Sequence, residues 1–238
     1  MLGKSSGFTA LIKKEIPDII IHCVLHRHAL ASKTLPTDLK EIMTITVKIV
    51  NFIRARALNH RLFKVLCQKM GAEHKVLLYH TEVRWLSRGQ VVKRVYELRE
   101  EISFFLVERQ SSLVKHFNNI EFIHGLTYLT DIFNHLNEVN TSIQGREVII
   151  MDASEKMNAF VSKIPLWKRR LQSENLANFP TLDHELSQNN IVLSGSIRTQ
   201  ICEHLDVLEN SFGDYFSLSA GCIQGSEIFD SICHYISL

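Results

Sequence analysis

His22, Cys23, His26 and His28 are the densest cluster of potential ligands in the chain. Thiolate and imidazole are good zinc donors, and Cys23 and His26 are spaced to share a metal if a strand turns into a helix between them. A closed structural site takes four protein ligands. No second CxxC or CxxH pair lies nearby, so His60, His74 or His80 would have to approach in space. The alternative is that His22, Cys23 and His26 pack and hydrogen-bond, and this is the expectation adopted: no resident metal and no cofactor. Nucleophilic catalysis by Cys23 would need a base and a lowered pKa, which a sequence does not display.

Arg84 and Trp85 are the second constellation. A guanidinium offers a planar fork and an indole offers a stacking face. With Lys93 and Arg94 they form a set that could touch a DNA backbone or an unpaired base. The bland alternative is a core tryptophan beside an ion-paired arginine. Lys168, Arg169 and Arg170 form a basic run beside Trp167 and read as a solvated face rather than a phosphate site. Two-metal nuclease chemistry needs carboxylates gathered at neighbouring strand ends. Asp18 precedes a strand candidate, while Asp38, Asp131 and Asp152 sit in helical surroundings without an identifiable partner. Asp131 reads equally as surface polarity on its helix.

The elements that must position these residues are mostly helical. Ile19, Ile20 and Ile21 are the best strand candidate, fully apolar and suited to burial on both faces. A short helix over Gly7–Ile16 precedes it and another, about Val24–Leu35, follows. Pro36 suits the start of a helix over about Thr37–Leu58. Arg61–Met70 reads as a helix stopped by Gly71, and Val76–Trp85 as an extended segment or hairpin. The apolar spacing predicts helices over Ser87–Arg109, about Asn119–Val139, about Glu147–Gln172 and Ser196–Phe216. Pro165 should kink or divide the third of these. Pro180 and the polar stretch Ser187–Asn190 mark a connection. A lone internal strand needs partners, so a mixed α/β domain interrupted by helices is expected.

Bulk composition narrows the function classes. The 238 residues are 45% hydrophobic, with four prolines and ten glycines, so the chain can bury a sizeable core and has no disorder signature. Twenty-seven basic residues nearly balance 25 acidic ones, which gives no general nucleic-acid signal. Five cysteines without a CxxC pair fit a reducing compartment. No apolar run reaches secretory or membrane-spanning length, so nucleus or cytoplasm is expected, with no membrane association.

The run His22-Cys23-Val24-Leu25-His26-Arg27-His28-Ala29-Leu30 resembles the HCxxHR-x-AL segment of domesticated proteins derived from hAT-superfamily transposases. His80-Thr81-Glu82-Val83-Arg84-Trp85-Leu86-Ser87-Arg88-Gly89 is similar to the group related to BED-type zinc-finger and SCAN-containing proteins. Leu136-Asn137-Glu138-Val139-Asn140 with Gln144-Gly145, and Phe160, Lys163, Leu166, Trp167 and Phe179-Pro180, extend the similarity over nearly the whole chain. The resemblance implies an RNase H-like fold interrupted by a large helical insertion. It also implies a metal-bound Asp, Asp, Glu triad in active relatives. Both family Asp positions would lie before Met1, which looks like the Met of a family Met-x-Gly string, and the final Glu finds no match before Leu238.

The expected fold class is therefore mainly α: a partial RNase H-like α/β segment followed by a large helical insertion. Residues 1–58 would be the partial RNase H-like segment leading into helices and 59–190 the insertion-like helices. Residues 191–238 would close the insertion or return to the core. The expected function is a catalytically inactive, transposase-derived interaction module, with a DNA-processing domain of a longer chain as the alternative. Protein partners, weak DNA contact through Arg84, Trp85, Lys93 and Arg94, and homo-oligomerisation through further family regions are implied. In active relatives a tryptophan in the region of Trp85 assists the flipped-base or hairpin step.

Overall fold

A computed structural model describes residues 34–78, 86–144 and 150–222. Among the described residues the fold is mainly helical and contains no strand. The expected strand at Ile19–Ile21 lies outside them, and the part of the expected 1–58 segment that falls within them, residues 34–58, carries coil and helix.

Helix α1 spans Thr37–Arg54 and buries Leu39, Ile42, Met43, Ile45, Ile49, Val50 and Ile53 on one side. Thr44 and Thr46 donate their hydroxyls to the carbonyls of Lys40 and Ile42, each at 2.8 Å, so the buried Thr46 hydroxyl is satisfied within the helix. The helix ends earlier than its apolar spacing suggests. Asn59 donates its side-chain amide to the Phe52 carbonyl at 3.0 Å, bracing a turn at Ala55–Arg56. The next helix, α2, therefore starts at Ala57 rather than Arg61 and runs to Met70. Gly71 closes it in the left-handed region at φ 74°, with the Ala72 N–H reaching the Cys67 carbonyl at 3.0 Å.

The expected helix over Ser87–Arg109 forms as two, α3 (Leu86–Glu97) and α4 (Arg99–Glu108), separated at Leu98 with φ −101° and ψ 21°. A 3₁₀ turn over Ser112–His116 leads to α5, Ile120–Ser142, whose N-terminus is capped by Asn119 accepting from the Glu121 N–H at 2.9 Å.

Helix α5 is the hub. From His124 to Phe133 every residue is buried. The single apolar stripe expected there, Leu129, Ile132, Phe133, Leu136 and Val139, understates its burial. A helix covered nearly all round belongs at the centre of a bundle. It packs against α3 and α1, and against α6 (Ile150–Val161), α8 (Pro180–Asn189) and α9 (Gly195–Cys222). Close packing against α3 occurs at Gly89, where a Cβ would lie 2.9 Å from Phe133 Cβ.

Pro165 divides the expected long helix: α6 stops at Val161 and α7 spans Ile164–Gln172 with Pro165 in its first turn. Helix α8 is a correction. The segment read as a connection begins a helix at Pro180, because a first-turn proline has no N–H to lose and its φ is already helical. Asn190 ends α8 in the left-handed region at φ 52°. One hydrophobic core runs through all these helices, from Leu39 in α1 to Phe212 in α9. No described helix is long and apolar enough to cross a membrane.

Candidate functional site

The residues first expected to do chemistry divide sharply by position. His22, Cys23, His26, Arg84 and Trp85 lie outside the described residues. Lys93 and Arg94 lie on α3, and both turn to Glu97: Lys93 Nζ is 3.8 Å from Oε1 and Arg94 Nε is 3.3 Å from Oε2. Arg94 also donates to the Val76 carbonyl at 3.2 Å, and His74 Nε2 is 3.2 Å from the same Glu97 oxygen. Arg94 thus ties the 74–76 segment to α3. Lys93, half-exposed, is the freer of the two.

The basic run on α7 is similarly engaged. Lys168 donates to both oxygens of Asp206 on α9, at 2.5 and 2.6 Å, and Arg170 donates to Asn178 Oδ1 at 3.0 Å. Arg169 is exposed. The hydrogen bond to Asp206 raises the Lys168 pKa, so its charge is firmly held. Trp167 itself is buried, stacked on His135 with ring centroids 4.5 Å apart. His135 Nε2–H donates to the Asn178 carbonyl at 2.8 Å, which fixes the stack.

Asp131 is not surface polarity. It is 4% exposed and receives the Thr181 N–H at 3.0 Å and the Leu182 N–H at 3.1 Å, closing the first turn of α8. Phe179 at the N-cap makes no side-chain cap, so a carboxylate from α5 supplies one, where the helix dipole favours an anion. Burial pushes the Asp131 pKa above the ordinary carboxylate value, and the bonds from Thr181 and Leu182 hold it partway back.

The middle of α8 carries a second buried carboxylate. Glu185 accepts the Tyr96 hydroxyl at 2.6 Å and the Asn189 amide at 3.1 Å, with Arg99 at 3.6 Å. Burial, then the bond to Glu185, drives the Tyr96 hydroxyl far above its usual pKa. Tyr96 and Glu185 thereby join α3 to α8. Both carboxylates are thus committed to joining helices. Among the described residues no three His, Cys, Asp or Glu side chains converge as a metal site. Cys67 is buried, and burial followed by nearby Glu101 pushes its thiol up to about 11, away from reactive thiolate.

A surface feature escaped the sequence reading. From Arg54 to Met70 five residues are basic (Arg54, Arg56, Arg61, Lys64 and Lys69) and none is acidic. Arg56, Arg61, Lys64 and Lys69 are exposed, and no described carboxylate pairs with them. Leu58, Leu62 and Val65 are 57%, 37% and 46% exposed on the same helix. The signal available was local: a helix long enough to choose its acids carries none.

Comparison with known proteins places the chain. No solved structure matches it. General transcription factor II-I repeat domain-containing protein 2 of Bos taurus is 39% identical over 189 residues, which cover 76% of this chain. The match spans 20% of that protein's length. The profile of a helical-domain family matches residues 22–172, running from the His22-Cys23 cluster to the end of α7. The chain belongs to the FAM200-GTF2IRD2-like family, as a FAM200/GTF2IRD2 helical domain.

Proposed function

We propose that this chain is a transposase-derived helical interaction module that has no catalytic role of its own. The observation that carries this reading is the commitment of two buried carboxylates: Asp131 caps α8, and Glu185 holds Tyr96 and Asn189. Metal-dependent cleavage needs acidic oxygens free to bind ions at a shared open site. These two are spent on internal donors instead. The family membership supports the reading, because the bovine relative is named as a general transcription factor II-I repeat domain-containing protein, and it motivates a nuclear location. The hAT-type, BED- and SCAN-related origin rests on the His22–Leu30 and His80–Gly89 strings.

Protein partners are the first expectation, with homo-oligomerisation among them. Residual DNA contact through Arg84, Trp85 and Lys93 is a second reading, favoured by the Arg-Trp pair in the His80–Gly89 string. Arg94 contributes less, since its guanidinium holds Glu97 and the Val76 carbonyl. The test is incubation of the full chain with duplex and hairpin DNA in magnesium or manganese. Intact DNA is expected, and strand breakage lost on changing one carboxylate would refute the reading.

A further inference from the structure

Leu58, Arg61, Leu62, Val65 and Lys69 form one stripe along α2. Each is three or four residues from the next neighbour it meets, so all five share a helix face. The buried face of α2, Asn59, Phe63 and Cys67, is turned to α1 and α4, and Phe63 meets Phe105 edge-on at 5.5 Å. The stripe is therefore held rigidly outward by a separate set of anchors. Its three aliphatic residues stay substantially exposed, and its two cations lack any described carboxylate.

We propose that this face of α2 docks an acidic amphipathic helix of a protein partner. The inference rests on reading the chain as an interaction module and names the chemistry of what it binds. Aliphatic side chains at i, i+4 and i+7 are the anchors of helix-on-helix recognition. Flanking Arg61 and Lys69 select glutamates or aspartates beside the partner's apolar seam, as e and g charges do in coiled coils. A nucleic-acid strand would use the cations but leave Leu58, Leu62 and Val65 without a match. Strand-binding surfaces offer aromatic stacking faces, and the stripe has none. A membrane surface would favour a broader apolar face with large aromatics at its edge.

The test uses the full chain and four probes. These are a synthetic helical peptide with leucines at heptad spacing flanked by glutamates, its lysine-flanked counterpart, a DNA duplex, and phosphatidylcholine–phosphatidylserine vesicles. The acidic peptide is expected to bind, and the lysine version to bind at least about tenfold more weakly. Arg61→Glu with Lys69→Glu should lower acidic-peptide affinity about tenfold or more, and Leu62→Ser should do likewise with helicity unchanged. All three positions are exposed, so the fold should persist. Should a charge-reversed variant nevertheless fail to fold, Arg61→Gln with Lys69→Gln gives the same readout. Equal binding of both peptides, no peptide binding, or tighter binding of DNA or vesicles lost in the double variant would each overturn the proposal. So would self-association abolished by Leu62→Ser. None of these outcomes bears on DNA cleavage, which tests the underlying reading separately.

Discussion

Tyr128 on α5 and His204 on α9 meet inside the core, hydroxyl to Nδ1 at 2.8 Å, with their rings edge to face at 5.7 Å. Both are essentially inaccessible. The pair sits at one end of an aromatic series that continues through Phe179, Trp167, Phe160 and Phe212. His204 Nε2 has no hydrogen-bond partner among the described residues, and burial favours the neutral imidazole.

This burial makes stability depend on pH. The pKa of His204 falls from 6.5 to about 4 through burial. A depressed folded pKa means the unfolded chain takes the proton first. The contribution is therefore complete above pH 6.5 and is lost as pH falls towards about 4. The loss is of order 3 kcal/mol at most. His124, also lowered by burial, acts in the same direction. Asp131 acts oppositely, since its raised pKa lets the folded state hold the proton more readily in acid. Urea unfolding followed across this range should show the loss, and His204→Gln should flatten it. An unchanged pH profile in that variant would place the acid sensitivity elsewhere.

Removing the cap on α8 should be costly. Asp131→Ala leaves the part-buried Thr181 N–H and the buried Leu182 N–H without an acceptor, a loss of about 1–3 kcal/mol. Asp131→Asn keeps one acceptor oxygen and should lose less. Chemical denaturation of both variants gives the order directly, and equal stability of Ala and wild type would remove the cap from the fold's energetics.

Two glycines on facing helices should respond differently to alanine. Each substitution gains up to about 1 kcal/mol of helix propensity. At Gly89 the new Cβ would meet Phe133 Cβ at 2.9 Å and Asn137 Nδ2 at 2.8 Å. Phe133 Cβ is fixed to the backbone of α5, so α3 itself must shift, and a net loss of about 1–3 kcal/mol is expected. At Gly125 the obstruction is Ile42 Cδ1, the end of a side chain that can rotate away. Gly125→Ala should cost less. Thermal melts of the two variants decide the ranking.

DNA contact is expected to be weak and strongly salt-dependent, because the chain's formal charge is only +2. Arg84→Ala with Trp85→Ala should then reduce affinity about tenfold or more at unchanged helicity, consistent with loss of a stacking platform. Binding that survives the double substitution would exclude this pair as the contact site.

Local chemistry was the legible part of the sequence. Gly71 stops α2 because a left-handed cap favours glycine, and Pro165 divides α6 from α7 because its ring cannot continue an interior turn. Long-range chemistry was not. The N–H groups that Asp131 accepts lie 50 and 51 residues further on, and no spacing rule links them. Pro180 carried two meanings, break or first turn, and packing against α5 chose the second. The turn at Ala55–Arg56 depends on Asn59 reaching back to Phe52, again invisible to periodicity.

The most direct measurement pairs cleavage with stability on wild type and Asp131→Asn. Labelled duplex and hairpin DNA are incubated with each protein in manganese, alongside urea unfolding. The expected result is intact DNA with both proteins and lower stability in the variant. Strand breakage by wild type that disappears in Asp131→Asn, with stability unchanged, would show a carboxylate serving chemistry rather than the fold.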